Sequence, residues 1–205
     1  LKQVDYVLLE TNDGNMHLEQ AAQVMKAGKP MFIDKPIAGH LNEAIAIFEL
    51  SKKYNVPLFS SSSLRYTAAT QEIHNGKYGE VIGADSYGPD NSEPSHGDFT
   101  WYGIHAVEAL YAVMGAGCKE VSCASEVATG IWEGDRIGTF RANVKAKYVF
   151  GGTVFTKEGA FQMGSEIPYE ALLQRIIGFF DTGVVPVTPQ ETIEIFTFME
   201  AASVS

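Results

Sequence analysis

Residues 4–9 (VDYVLL) form a mostly apolar run of strand length, the pattern of a buried parallel strand. A polar turn, Thr11 to Asn15, comes next and can cap a helix. Apolar positions then recur at helical spacing over 16–27, with Leu18, Ala21, Ala22 and Met25 on one face, until Gly28 and Pro30 stop the pattern. Met31-Phe32-Ile33 predicts a second buried strand. A second helix is expected over 41–54 with Leu41, Ile45 and Phe48 inward, and a third strand over 56–60. The order β-α-β-α-β with short connections predicts a parallel sheet with right-handed crossovers.

The pattern changes at Ser60-Ser61-Ser62-Ser63, read as a loop at the functional edge of that sheet. Helices are expected over 67–75, 102–114, 169–180 and 189–202. Strands are expected over 81–87, 120–128, 136–145 and 147–156, the last interrupted by Gly151-Gly152. The segment 88–97 is a long loop with two prolines, of the kind that often carries function. Strands that succeed one another predict an antiparallel sheet. The fold class is therefore α/β plus α+β: a partial parallel-sheet domain over 1–64 and an α+β domain over 65–205.

Composition adds exclusions. The 205 residues are 45% hydrophobic and 20% charged, enough for a sizeable core. A net charge of −10 argues against nucleic acid or an anionic membrane as partner. No apolar run approaches a membrane span. Cys118 and Cys123, five apart in a strand-like run, are expected on opposite faces, which spoils both a disulfide and a shared metal site. No Cys/His cluster has zinc spacing, so no metal is expected.

The apolar run 31–33 ends in Asp34-Lys35-Pro36. A strand ending this way delivers charge to the carboxyl edge of a sheet, where open α/β folds bind ligands. Lys35 there can polarise a hydroxyl or carbonyl. His105 lies beside the apolar stripe Ile104, Val107, Leu110 and Met114 of its helix, with Glu108 one turn on. A carboxylate at that spacing can orient an imidazole as a general base, and Asp98 is a second candidate acid. His17 opens a helix after the first strand, a position suited to a phosphate or to simple capping. Arg65 can hold an anionic group at the same sheet edge or serve a domain interface. His96 lies in the long loop. His40 and His74 have no supporting constellation. Taken singly, Lys35 reads as a surface lysine and His105 as an ordinary helix-start histidine.

Together these residues resemble the glucose–fructose oxidoreductase / inositol dehydrogenase / MocA (Gfo/Idh/MocA) family. The stretches VDYVLLETNDGNMH and AAQVMKAGKPMFIDKPIA are similar to its second Rossmann half. Asp34-Lys35-Pro36 stands for the usual Glu-Lys-Pro, and Gly103, His105 and Glu108 match Asp-x-Gly-x-His-x-x-Asp, with Trp101 in place of the first aspartate. The ending TGVVPVTPQETIEIFTFMEAA also resembles the family's C-terminal segment. The order and separation of these pieces cover essentially the whole chain.

The resemblance implies an NAD(P)-dependent dehydrogenase acting on a sugar- or polyol-type hydroxyl, with hydride passing to the nicotinamide. It implies His105 as general base, Lys35 assisting, and Glu108 or Asp98 as orienting acid. Thr11, Asn12, His17, Asp34, Lys35 and Pro36 would line the cofactor; Arg65, Tyr66, Trp101 and Tyr102 the substrate. A homo-oligomer through the C-terminal sheet is implied, and NAD or NADP as cofactor of the intact protein. No G-x-G-x-x-G is present. The chain is therefore expected to be an N-terminal truncation, inactive alone and binding no cofactor by itself. Alternatives are an NAD-dependent glycosidase of the same fold and a non-catalytic binding or assembly module. A cytoplasmic location is favoured, with an exported form left open.

Overall fold

The computed structural model describes the chain apart from residues 92, 98, 144, 146 and 147. Val7–Leu9 (β1), Met31–Ile33 (β2) and Leu58–Ser60 (β3) form a parallel sheet in that order, with Phe32 beside Leu8 and Phe59. Helices His17–Lys26 (α1) and Leu41–Tyr54 (α2) make the crossovers. Asn55, in the left-handed region at φ 53, closes α2 by donating its N–H to the last turn. Every residue of β2 and β3 is buried, whereas β1 is the edge strand and leaves Leu8 50% exposed. The buried strand expected over 4–9 is thus shorter and half-exposed, because its outer side has no neighbour among the described residues. In α2 the inward stripe is Ala44, Ile47 and Phe48; Ile45, expected inward, faces out at 40% exposure. At 100° per residue, position 45 lies well off the arc shared by 44, 47 and 48.

Six strands build the second sheet: Val81–Gly88 (β4), Cys118–Ala124 (β5), Val127–Trp132 (β6), Ile137–Ala142 (β7), Gly151–Thr156 (β8) and Gly159–Gln162 (β9). Their order is β5-β6-β7-β4-β8-β9, antiparallel except for β4 against β7. Ala68–His74 (α3) precedes it. Gly103–Met114 (α4) and Pro189–Val204 (α6) cover its inner face. The Trp132 ring, 1% exposed, lies over Gly130 of its own strand and Gly138 paired with it: a Cβ at Gly130 or Gly138 would come 2.6 or 2.7 Å from it.

Tyr169–Thr182 (α5) returns to the first sheet, where Leu172, Ile176 and Phe179 pack on Phe32 and Phe59. The boundary expected at 64/65 falls inside the short helical turn Ser63–Tyr66, and α5, from beyond it, packs on the first sheet. One apolar core runs continuously between the sheets through α1, α2, α4 and α6.

Three further sequence expectations change here. The strand expected over 120–128 is a hairpin, β5 turning into β6 through Ser125 at φ 58. No glycine or proline marks that turn, so the apolar alternation masks it. The two cysteines are not on opposite faces in the expected way. The β5 register shifts between Cys118 and Glu120, and Cys118, Val121 and Cys123 all pack partly buried against the same core. Both thiols are free. The strand β9 has no counterpart among the elements expected from the sequence. Among the described residues no helix is long and apolar enough to cross a membrane, and no cluster of acidic, His and Cys side chains could hold a metal ion.

Candidate active site

Parallel strands end together, so the segments leaving them meet at a single edge. Asn12 comes after β1, Asp34 and Lys35 after β2, and Ser61 to Leu64 after β3. The Asp34 N–H donates to the Leu9 carbonyl at 2.9 Å, carrying the ladder one residue past β2. The second sheet brings the opposing wall: Tyr102 and His105 from the start of α4, and Tyr148 and Phe150 leading into β8. The start of α5 supplies Ile167, Tyr169 and Leu172. These groups enclose a cavity of about 260 Å³ that also reaches Asn12, Asp34, Lys35, Ser63 and Leu64. A larger open hollow of about 710 Å³ lies beside α3. Its charged side chains already have partners: Lys157 pairs with Glu80 within the hollow, Glu133 with Lys119, and Arg136 donates to the Met114 carbonyl.

His105 occupies the first turn of α4. That turn fits tightly because Gly103 has no side chain; a Cβ there would lie 3.0 Å from Phe99 and 3.1 Å from Phe140. The imidazole packs edge-on against Phe150 at 5.5 Å, with Tyr102 at 6.0 Å. Its Nδ1 lies 2.7 Å from Ser62 Oγ. Nε2 makes no hydrogen bond among the described residues, and the ring lines the cavity. Burial, and then the nearby Lys35 charge, hold the imidazole down at about 3, so it is neutral at physiological pH. Lys35 Nζ stands 6.0 Å over the Tyr102 ring. Asp34, beside it, is pushed above the ordinary carboxylate range by burial, with Lys35 opposing.

Glu108 makes no hydrogen bond to His105 among the described residues. Its Oε2 accepts the Ser62 N–H at 2.9 Å, the Ser61 hydroxyl at 3.3 Å and Arg65 Nε at 3.3 Å. The orienting carboxylate expected there therefore acts on the loop that carries Ser62, and the hydroxyl of Ser62 touches the imidazole. Asp98, the other candidate acid, lies outside the described residues.

Arg65 and Tyr66, expected at the substrate, are not in the cavity. Arg65 is 4% exposed and donates to Glu108 and to Glu191 of α6. Burial works against its charge, but Glu191 and Glu108 outweigh this and hold the guanidinium protonated. Tyr66 is packed under α5 with Leu172 and Phe179, its ring facing Arg175. Trp101 turns towards the long loop and packs on His96 at 4.7 Å. Of the four expected substrate residues, Tyr102 alone lines the cavity.

The cofactor candidates divide in the same way. Asn12, Asp34 and Lys35 face the cavity. His17 is fully buried, with Nδ1 2.9 Å from the Pro36 carbonyl and Nε2 2.8 Å from the Thr11 carbonyl. It ties the loop after β1 to the loop after β2 and has no nitrogen left for a phosphate. Thr11 spends its hydroxyl on Gln20, and Pro36 is buried behind Lys35. His96 belongs to the same scaffold: its Nε2 accepts the Gly14 N–H at 3.1 Å, pinning the long loop to the β1–α1 turn.

Ser62, Tyr148, Phe150 and Tyr169 are site residues that the sequence does not single out. Tyr148 and Phe150 alternate just before a strand, a signal for two side chains on one face. The serine run is read from the sequence as a loop at the sheet edge, but four identical residues give no means of choosing among them.

Residues 1–62 match the profile of a family described as "Oxidoreductase family, NAD-binding Rossmann fold". An oxidoreductase of Escherichia coli (strain K12), YhhX, itself uncharacterized, is 26% identical over 111 residues, 48% of this chain and 32% of that protein. The chain thus spans about a third of the length of that curated relative. Among solved structures, a probable dehydrogenase from Thermotoga maritima superposes with a TM-score of 0.84 at 20% identity, covering 99% of this chain and 78% of the other. The apo scyllo-inositol dehydrogenase from Lactobacillus casei superposes with a TM-score of 0.79 at 16% identity, covering 98% and 77%. These structural likenesses show a shared fold.

Proposed function

We propose that this oxidoreductase chain of the Gfo/Idh/MocA type interconverts a sugar- or polyol-type hydroxyl and its carbonyl in an NAD(P)-dependent reaction. The observation that carries the reading is the convergence of Lys35 and His105 on one cavity at the carboxyl edge of a parallel sheet. The relative named for scyllo-inositol supports a polyol as the substrate class.

Asn12 and Asp34 fit the nicotinamide–ribose end of a dinucleotide, since both reach the cavity from strand ends. The β1–α1 turn does not fit a pyrophosphate. The Asp13 carboxylate caps it, and the Gly14 N–H is already given to His96. When bound, the nicotinamide supplies the hydride acceptor. The Lys35 ammonium holds the substrate oxygen and favours negative charge on it. His105 exchanges a proton with that oxygen through Nε2. The aromatic wall of Tyr102, Tyr148 and Phe150 excludes water and suits the apolar face of a sugar ring.

The test is NAD(P)⁺ reduction by the intact protein, measured with inositols and aldoses. His105→Ala is expected to lower kcat roughly 10²–10⁴-fold, and Lys35→Met to do the same, while substrate-independent NAD(H) binding is kept. Turnover unchanged in both variants overturns the reading. Sugar release without NADH accumulation replaces it with glycoside cleavage on the same fold.

Association is proposed through the outer face of the six-stranded sheet. Gly83 pairs with both Ile137 and Phe155, so these lie in one row, and Ile137 is 50% and Phe155 38% exposed. Light scattering of Ile137→Asp against the parent checks this.

A further inference from the structure

We infer that Ser62 sets the tautomer of His105, so that the resting site presents an Nε2–H donor, rather than a lone pair, to the cavity. The catalytic meaning of this rests on the proposed role of His105; the tautomer itself does not.

The Ser62 hydroxyl has few partners to choose from. Ser62 is 1% exposed, so bulk water does not reach it. Its Oγ caps the short helical turn at 63–66 by accepting the Leu64 N–H at 3.2 Å. Its own N–H goes to Glu108, which fixes the backbone beneath the side chain. The hydroxyl proton then needs an acceptor, and among the described residues the one within reach is His105 Nδ1, at 2.7 Å. A buried hydroxyl left without an acceptor costs about 1–3 kcal/mol. The alternative, Nδ1–H donating to Ser62 Oγ, leaves that proton stranded. With Ser62 donating, Nδ1 is the acceptor, and the single proton of the neutral ring sits on Nε2.

The consequence is a cavity with two donors aimed into it, the Lys35 ammonium and the His105 Nε2–H. A neutral imidazole N–H of depressed basicity can polarise a carbonyl. The resting site is therefore matched to the carbonyl form of the substrate. To receive a proton from a hydroxyl, Nε2 must first give up its own, with the ring proton moving to Nδ1 and the Ser62 hydroxyl turning to accept it. Ser62 is a positioning residue: it acts through His105. It stands where the carboxylate of an ordinary His–acid pair would fix the opposite tautomer, Nδ1–H.

The test is long-range ¹⁵N–¹H NMR of the ¹⁵N-histidine-labelled chain near neutral pH, with His105 assigned by its loss in His105→Gln. In the parent protein, Nε2 is expected to be protonated and Nδ1 unprotonated, by a ratio of roughly tenfold or more. Ser62→Ala should bring the two tautomers towards equal populations, and Ser62→Thr, which keeps the hydroxyl, should restore the bias. If Ser62→Ala does not fold, Ser62→Cys, a weaker donor, takes its place with the same expectation. An Nδ1–H tautomer in the parent, or a ratio that the Ala or Cys variant leaves unchanged, overturns the inference. None of these measurements requires turnover, so a failed activity assay and a failed tautomer assignment are separate results.

Discussion

Arg65 donates to Glu191 across 126 positions of sequence, and the same guanidinium reaches Glu108 on α4. This triad ties the loop after β3 to both helices that cover the second sheet. It also accounts for the absence of Arg65 from the cavity lining: its charge is spent inside the protein. Through Glu108 and the Ser62 N–H, the triad leads to the hydroxyl beside His105.

Arg65→Met should leave a buried Glu108 and a partly buried Glu191 without their cation. The expected cost is about 3–5 kcal/mol, read from the urea midpoint. Arg65→Lys should recover only part of it, since an ammonium cannot present the guanidinium's fork to both carboxylates. A variant as stable as the parent would mean that the cluster contributes little.

His105 makes folding stability depend on pH. Its ordinary value is 6.5 and the folded protein holds it near 3. Between these values the unfolded chain binds a proton that the folded chain refuses. The contribution is complete above about 6.5 and declines as pH falls towards 3, by at most about 1.4 kcal/mol per pH unit. His105→Gln should flatten the acid limb of stability against pH by that slope, measured by denaturant titration at a series of pH values. Parallel acid limbs in the two proteins would show that the imidazole titrates normally.

His17 is expected to matter for stability. Replacing it by alanine removes the bridge between the Thr11 and Pro36 carbonyls in a fully buried place. A loss of about 1–3 kcal/mol is expected in thermal or chemical unfolding. Dinucleotide affinity at the remaining folded fraction should be unaltered, in contrast with a phosphate-binding histidine.

Gly138→Ala tests the seat of Trp132. The added methyl would stand 2.7 Å from the ring and 3.4 Å from Leu110. Overpacking of this kind costs about 1–3 kcal/mol, and the near-ultraviolet dichroism of the tryptophan should change with it. Gly28→Ala, a surface control, has open space around it but φ 69, so its smaller loss reflects backbone strain alone.

Much of the scaffold was legible along the chain. The bounds of α2 agree with the structure at both ends, because a helical apolar repeat and a clear stop are local signals. The alternation of strands and helices implied the parallel sheet, and a strand that ends in Asp34-Lys35 placed a lysine at its carboxyl edge. Those inferences need only neighbouring residues and the periods of helix and strand. The tertiary structure alone decided which distant groups meet. Ser62 and His105 are 43 positions apart, and Arg65 and Glu191 are 126 apart. One serine of four becomes the imidazole's partner, one arginine is neutralised, and one histidine is sealed between two carbonyls. Such outcomes depend on how two sheets and their helices pack in three dimensions. Hydrogen bonds and desolvation act over a few ångströms of space, and separation along the sequence carries no record of them.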